Sequence, residues 1–247
     1  MRTADTLDIT QRLLAERPSF HAYGTARWDA LPGTLLAIRR SAKDGDLTVE
    51  TGVGASTVVF AASGAHHTAI SPIPDEHQRV RDYCRRTGID DSRIEFIAGR
   101  SDEVLPRLYG RDRVLDMAFI DGAHEFPFPV TDWCYIARSL KIGGALLIDD
   151  IPIPAVMQVF RHMRLEPNWR LEGLFDGRAA AFTLLAPPPP GDWTRQALNR
   201  GYPDFSFARL PGRLRLQTAH RVMQVRRSTS RRYPRLRRLY KHLVLPR

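Results

Sequence analysis

Segments typical of buried β-strands alternate with segments typical of amphipathic helices along most of this 247-residue chain. Five strand–helix units can be followed, from LTVET with its helix ASTVVFAAS to ALLIDD with its helix IPAVMQVFRHMRLE. Such alternation is characteristic of a mostly parallel sheet with helices on both faces. We therefore predict a doubly wound α/β fold in which the carboxyl ends of the parallel strands share one edge and form the ligand site.

The end of the sheet region is marked by a hairpin and then by four consecutive prolines. Two strand-like segments, NWRLEGLF and RAAAFTLLA, flank the pair Asp176-Gly177, which favours a tight antiparallel turn and completes a seven-stranded sheet. The prolines at 187–190 favour a stiff, extended linker. We predict a domain at 1–186 that begins with a helical cap, followed by a linker and C-terminal extension at 187–247.

The C-terminal extension holds the whole positive excess of the chain. The net charge is +10, and the residues after Asp204 contain thirteen Lys and Arg and no Asp or Glu, so residues 1–204 carry 10 − 13 = −3. We predict a basic tail that is helical on a surface or disordered, and an anionic partner for it. Its interleaved apolar residues favour an anionic membrane surface or a protein partner over nucleic acid.

The remaining composition bounds the class of protein. The N-terminal residues contain no apolar leader, and no apolar run is long enough to span a bilayer. Two cysteines, Cys84 and Cys134, do not make a disulfide framework. We expect a cytoplasmic protein, with the tail as a candidate contact to the inner face of the membrane. A homo-oligomer is compatible with the sequence.

The first strand runs directly into the motif Glu50-Thr51-Gly52-Val53-Gly54-Ala55-Ser56-Thr57. Its two glycines allow a tight turn and a close approach of the backbone to a ligand. The helix that follows offers free N–H groups at its N-terminus. A glycine pair alone is as often a simple tight turn as a ligand site, so the acidic residue directly before it carries the added information.

This motif resembles the first motif of the class I S-adenosylmethionine-dependent methyltransferases, a Rossmann-like family, and in particular its O-methyltransferases for sugars and natural products. The resemblance extends over about residues 31–186. It implies that Gly52 and Gly54 bracket the methionine part of the cofactor and that Glu50 holds its amino group. The other cofactor contacts that the resemblance implies are Thr51, Ser56, Thr57, Ser71, Ser101 and Asp121.

The sequence departs from this family at the end of the second strand. The family carries an acidic residue there that binds the ribose hydroxyls, whereas this chain has Ser71. A hydroxyl has fewer acceptor sites than a carboxylate, and Asp75 is a candidate substitute from the next helix. The resemblance places Ser101 along the adenine. Its position at the start of a helix instead favours the role of an N-cap.

Three aspartates follow two neighbouring strands. Asp121 ends the fourth strand, and Asp149 and Asp150 end the fifth. Adjacent parallel strands bring these carboxylates together, where each raises the pKa of the next unless a cation neutralises them. Hard oxygen ligands suit Mg²⁺ or a similar divalent cation. We predict a metal site at these three residues; a helix cap or a solvent-exposed acid is the plain alternative for any one of them.

The aspartate pattern resembles the metal-dependent O-methyltransferases of the catechol and macrolide-sugar type. In that family the metal binds a substrate hydroxyl, and the catechol enzymes place a base three residues after the first metal ligand. That position is His124 here, an imidazole suited to proton transfer near neutral pH, with Glu125 as the second choice. The resemblance implies a catalytic pair, His124 and Asp121, and a sugar or phenolic small molecule as the methyl acceptor.

Several aromatic residues lie in segments that could roof such a site, although most are equally good core candidates. They are Phe20, Tyr23, Trp28, Phe126, Phe128 and Trp133. Two other functions stay open. The absent ribose acid favours a methyltransferase-fold binding protein without turnover, and the basic tail favours a nucleic-acid methyltransferase, which the acidic body and the lack of a base-methylation motif oppose.

Overall fold

A computed structural model of the chain describes residues 3–21, 30–110, 112, 114–187, 196–201 and 203–232. The chain separates into two compact units, Met1–Pro189 and Pro190–Arg247. The first unit contains the predicted α/β domain. The proposed proline linker lies largely outside the described residues and stays a prediction.

The described part of the first unit contains one sheet of seven strands. The strands are β1 (Leu47–Thr51), β2 (His66–Ser71), β3 (Ile94–Ala98), β4 (Leu115–Ile120), β5 (Leu140–Ile148), β6 (Trp169–Phe175) and β7 (Ala179–Leu184). Their order is β3-β2-β1-β4-β5-β7-β6, and β1 to β5 are parallel. β7 inserts antiparallel between β5 and β6. The predicted fold class is confirmed.

Helices cover both faces of this sheet. They are α1 (Thr3–Glu16), α2 (Pro32–Ser41), α3 (Ala55–Ser63), α4 (Pro74–Thr87), α5 (Ser101–Leu108), α6 (Phe128–Ser139) and α7 (Pro154–Leu165). Two buried apolar clusters lie against the sheet, one under α1 to α4 and one under α5 to α7. The crossovers place the carboxyl ends of β1, β4 and β5 at one edge, as the alternation predicts.

One boundary differs from the prediction. The segment FPVTDWCYIARSLKIGG at 128–144 has the pattern of a helix that ends in glycine, but α6 ends at Ser139 and β5 begins at Leu140. The glycines therefore lie inside the strand, where the pairing of β4 with β5 is irregular between Leu115 and Met117. Glycine within a strand commonly marks such an irregularity, and the pattern alone does not distinguish it from a helix end.

The second unit is helical where it is described. A short 3₁₀ turn, Leu198–Arg200, precedes a 23-residue helix, α8 (Leu210–Arg232). This agrees with the helical form of the predicted tail. None of the described helices combines the length and the apolar character that a membrane span requires. A membrane surface or a protein as the partner of this helix stays a prediction.

Candidate functional site

A cavity of about 890 Å³ opens at the carboxyl edge of the sheet, between the turn after β1 and the ends of β4 and β5. The turn after β1 contributes Thr51, Gly52, Val53, Gly54, Ala55 and Ser56. The opposite end is lined by charged side chains, among them Asp121, His124, Glu125, Asp150 and Arg178. We call these two parts the glycine end and the charged end of the cavity.

The glycine end depends on Gly52. Its φ of +94° lies in a region that favours glycine, and a Cβ at this position would stand 2.4 Å from the backbone oxygen of Asp121. The parallel pairing of β1 with β4 causes this proximity, because Thr51 lies beside Ile120. The turn therefore passes against β4 so closely that no side chain fits between them.

Two residues assigned to the cofactor by the sequence lie behind this turn. The Thr57 hydroxyl accepts a hydrogen bond from the N–H of Gly54 at 3.0 Å and donates one to the Glu50 carboxylate. Glu50 and Thr57 are fully buried, and neither lines the cavity. His67 stands 3.2 Å from the same carboxylate. In the structure Glu50 and Thr57 thus support the shape of the turn, and their predicted contact with the cofactor stays a prediction.

A carboxylate lines the cavity near the end of β2, and it belongs to Glu76 in the first turn of α4. Ser71 lines the cavity as predicted, and its hydroxyl donates a hydrogen bond of 2.7 Å to Glu76. His21 Nδ1 lies 2.8 Å from the other carboxylate oxygen of Glu76. Burial raises the pKa of Glu76, but these two hydrogen bonds outweigh it and hold the pKa below its usual range. Asp75, named from the sequence, is exposed and lines no part of the cavity.

Ser101 and Thr51 line the cavity above a buried carboxyl group. Ser101 is the first residue of α5 and makes no capping bond, so its predicted role as the N-cap is wrong. Both hydroxyl groups lie beside the carboxyl group of Asp132, which is fully buried. Burial raises the pKa of Asp132 to about 6, partly offset by these two hydroxyl groups. Sequence analysis did not identify Asp132 as a site residue.

At the charged end, an imidazole stands between two carboxylates. His124 Nε2 lies 3.6 Å from Asp121 Oδ1, and His124 Nδ1 lies 3.6 Å from Asp150 Oδ2. We call these three residues the Asp–His cluster. The parallel pairing of Ile120 with Ile148 brings the two strand ends together, so Asp121 directly after β4 lies near Asp150, two residues after the end of β5. Two of the three predicted carboxylates, Asp121 and Asp150, thus flank one imidazole at this edge.

The surroundings of the Asp–His cluster shift the pKa values of Asp121 and His124. Burial raises the pKa of Asp121 to about 7, against the opposing effect of His124. The Asp121 carboxylate in turn raises the pKa of His124, which burial alone would lower. Strongly perturbed titratable groups that face one cavity are typical of functional sites.

Asp149 differs from its prediction as a metal ligand. It is 1% exposed, and the Arg178 guanidinium binds it through two parallel hydrogen bonds, Nε to Oδ1 and Nη2 to Oδ2, each 2.9 Å long. The N–H of Asp150 donates a third hydrogen bond to Asp149 at 2.8 Å. The three aspartates thus do not converge on one point, because a cation of the chain holds one of them.

Arg178 was missed by the sequence, although the hairpin contains a signal for it. β5 and β7 are antiparallel, with Ile148 beside Ala180, and continuing this register places Arg178 opposite Asp150. The N–H of Ile151 donates a hydrogen bond to the Arg178 carbonyl at 2.8 Å, which fixes the pairing beyond the strand ends. Asp176 in the same turn accepts hydrogen bonds from the N–H and hydroxyl of Thr34, at the start of α2.

The Asp–His cluster has a donor set that fits a divalent cation. One ligand atom from each of its residues lies within 4.8 Å of the others, and all three side chains are partly exposed to the cavity. Two carboxylate oxygens and an imidazole nitrogen suit divalent ions such as Mg²⁺, Mn²⁺ or Zn²⁺. The fitting set is therefore Asp121, His124 and Asp150, with His124 in place of the predicted Asp149.

The aromatic residues proposed as a roof separate into several groups. Phe128 lines the cavity, with the Arg100 guanidinium 4.9 Å from its ring centre. Phe20 belongs to the core, Phe126 is 72% exposed, and Trp133 packs against His162. Tyr23 and Trp28 lie outside the described residues.

Comparison with known proteins finds a family match in the central part of this domain. Residues 49–151 match the family described as a methyltransferase domain. A protein from Mycobacterium sp. (strain JLS), provisionally named an O-methyltransferase, is 33% identical over 123 residues, which are 47% of this chain and 53% of that protein. The chain thus spans about half the length of the curated relatives it matches.

Solved methyltransferase structures share the fold. The O-methyltransferase NovP superposes with a TM-score of 0.58 at 14% identity, over 75% of this chain and 100% of NovP. A methyltransferase of Podospora anserina with bound S-adenosylhomocysteine gives a TM-score of 0.52 at 15% identity, over 73% of this chain and 88% of that chain. The family match and the curated relatives support the resemblance to methyltransferases over the central part of the domain, and the solved structures show that the fold is shared.

Proposed function

We propose that this protein transfers a methyl group from S-adenosylmethionine to a hydroxyl group of a small molecule, with a divalent cation at the Asp–His cluster. One observation carries the proposal: a single cavity joins the glycine turn after β1 to a cluster of an imidazole and two carboxylates. The first feature suits a nucleotide-like cofactor, and the second suits the removal of a proton from a hydroxyl group.

The glycine end would hold the cofactor. Gly52 and Gly54 let the backbone approach it, and Ser56 lies at the N-terminus of α3. Glu76 is the carboxylate available to the ribose hydroxyls, with Ser71 and His21 holding it in place. Ser101 and Thr51 complete the wall on the side of β3 and β4. The bound cofactor supplies the electrophilic methyl group.

The charged end would hold the acceptor. His124 takes the proton of the acceptor hydroxyl, and its raised pKa suits a base that works near neutral pH. Asp121 and Asp150 flank the imidazole and stabilise its charged form. A divalent cation held by the carboxylates of Asp121 and Asp150 would lower the pKa of a hydroxyl bound to it, and the imidazole of His124 would then be available as the base. The cavity then mainly aligns the acceptor oxygen with the methyl group.

Several observations support this choice. The curated relatives are named for O-methyl transfer, and the Podospora protein binds the demethylated cofactor. The charged end contains hydrogen-bonding side chains that suit a hydroxylated acceptor such as a sugar or a phenol. Glu76 also removes the main ground for a binding protein without turnover, which was the absence of a ribose acid.

The test is a calorimetric titration of the protein with S-adenosylmethionine, with and without Mg²⁺, followed by methyl transfer from labelled cofactor to a panel of sugars and phenols. We expect cofactor binding and metal-dependent transfer to a hydroxyl. Asp121→Ala should abolish transfer while the cofactor dissociation constant changes less than threefold. Unchanged transfer by Asp121→Ala contradicts the role of the cluster, and absent cofactor binding by a folded protein contradicts the whole proposal.

A further inference from the structure

The Arg178–Asp149 pair has a geometry that is unusual for the edge of a cation site. Asp149 is fully buried, and both of its oxygens accept hydrogen bonds from one guanidinium. A bidentate arginine–carboxylate pair is among the strongest polar contacts in proteins, because two charge-assisted bonds form in one plane. Asp149 therefore cannot turn towards a cation without breaking both bonds.

The same guanidinium also reaches the Asp–His cluster. Arg178 Nε lies 3.2 Å from Asp150 Oδ1, while Asp150 Oδ2 lies 3.6 Å from His124. One oxygen of Asp150 thus faces a cation of the chain, and the other faces the position suited to a divalent cation. Asp150 has a φ of +52°, in the left-handed region that residues other than glycine rarely adopt.

Charge repulsion adds to this competition. Arg178 lines the same cavity as the cluster, and its side chain is 24% exposed. Two positive charges a few ångströms apart at the edge of a protein repel each other strongly, since water screens them only in part. Arg178 thus both occupies carboxylate oxygens and opposes the entry of a second cation.

We propose that Arg178 is a built-in competitor of the divalent cation. It holds Asp149 out of the coordination shell, shares Asp150 with the cation, and so weakens cation binding at the cluster. Arg178 is a positioning residue that sets metal affinity. This inference rests on the proposed function for the presence of a cation at the cluster, but it does not depend on which acceptor is methylated.

The experiment measures Mn²⁺ binding by calorimetry to the full chain, without cofactor or acceptor. Arg178→Met removes the charge and frees both Asp149 and Asp150 to bind the ion. We expect it to bind Mn²⁺ at least tenfold more tightly than the wild-type protein. Binding that is equal to the wild type within twofold, or weaker, overturns the proposal, as does the absence of Mn²⁺ binding in both proteins.

A second variant provides a test in case Arg178→Met does not fold, because that substitution leaves a buried carboxylate without its partner. Arg178→Lys keeps a positive charge for Asp149 but lacks the planar fork that also reaches Asp150. We expect it to fold, as shown by circular dichroism, and to bind Mn²⁺ about threefold more tightly than the wild type. If Arg178→Met does not fold, an unchanged or weaker affinity of Arg178→Lys overturns the proposal.

The matched control is Arg170→Met on β6, an exposed arginine that pairs with Glu172 and does not line the cavity. Its Mn²⁺ affinity should equal that of the wild type; an increase like that of Arg178→Met would show a general charge effect and overturn the proposal. Titration with S-adenosylmethionine on the same samples separates the two proposals. Tighter Mn²⁺ binding by Arg178→Met without cofactor binding by any sample retains this inference and contradicts the proposed function.

Discussion

The two ends of the cavity are built in different ways. The glycine end comes mainly from one continuous segment, the end of β1 and the start of α3, and Glu76 of α4 adds an acid beside it. The charged end is assembled from the ends of β4, β5 and the β6–β7 turn, and its parts are ionisable groups. Local sequence therefore determines the first end, and sheet topology determines the second.

The ends also differ in how they accommodate a buried carboxyl group. Below the glycine end, Asp132 has no cation beside it, and burial favours its neutral form. At the charged end, Asp149 is buried just as deeply but has the Arg178 guanidinium as its partner. Neutralisation by a proton and neutralisation by an arginine are two solutions to the same desolvation penalty.

The largest expected effect tests whether the catalytic base lies at the charged end of the cavity. His124→Gln should lower kcat by about 10²- to 10³-fold, the usual contribution of a general base. The cofactor dissociation constant should change less than threefold, because His124 lies away from the glycine turn. Methyl-transfer kinetics with calorimetry measure both quantities. Glu125→Gln is the comparison, and a larger loss in that variant than in His124→Gln would move the base to Glu125.

The next prediction tests the two ways of burying a carboxyl group. Because the folded pKa of Asp132 is about 6 and lies above that of the unfolded chain, the native state binds the extra proton. Stability is therefore lost as pH rises from 4 to 8, by at most about 3 kcal/mol from this group. Asp132→Asn removes this loss, so its stability relative to the wild type should increase with pH. Urea unfolding at both pH values checks it, and parallel profiles would contradict it.

A smaller effect tests whether the glycine end depends on the contact between β1 and β4. Gly52→Ala combines a disfavoured φ with a clash against the Asp121 backbone, whereas Gly88→Ala has a φ of +73° and open space around it. We expect Gly52→Ala to lose about 2 kcal/mol more free energy of unfolding than Gly88→Ala, which carries only the conformational penalty of about 1 kcal/mol. Equal losses in denaturant unfolding would show that the clash relaxes.

The smallest expected effect concerns Glu76. Glu76→Gln keeps the shape but removes the charge, so it should weaken cofactor binding about tenfold, as expected for the loss of charge-assisted hydrogen bonds. Transfer at saturating cofactor should stay within threefold of the wild type. Asp75→Asn, one residue away and exposed, is the matched control and should bind as the wild type does. If Asp75→Asn weakens cofactor binding and Glu76→Gln does not, then Asp75 is the acid that contacts the cofactor, as the sequence predicted.

These contrasts show which parts of the molecule the sequence could predict. The strand–helix alternation was enough for the sheet, because buried runs and glycine turns are local signals. The motif after β1 predicted the turn but not which side chains face the ligand, so Glu50 and Thr57 were placed in the cavity. On α4 the choice between Asp75 and Glu76 depends on a rotation of about 100° per residue, which an uncertain helix start leaves undecided.

Arg178 could not be identified from local sequence signals for a different reason. Its place opposite Asp150 requires that β7, and not β6, be the neighbour of β5, and that the antiparallel register be known. A single-residue change of register would turn the side chain to the other face of the sheet. The sequence indicated that the crowded aspartates need a positive charge, and for Asp149 the Arg178 guanidinium of the same chain supplies it, whereas the predicted metal site stays a prediction.

The β6–β7 turn also has a consequence for how the molecule forms. Asp176 binds Thr34 across 142 residues of chain, and Arg178 two residues later completes the charged end. Contacts between such distant segments form late, because closing a long loop is entropically costly. During synthesis the glycine turn leaves the ribosome well before this hairpin. The nascent domain would then be able to hold a cofactor before it can organise an acceptor, and catalytic competence would arrive only with the last strands of the sheet.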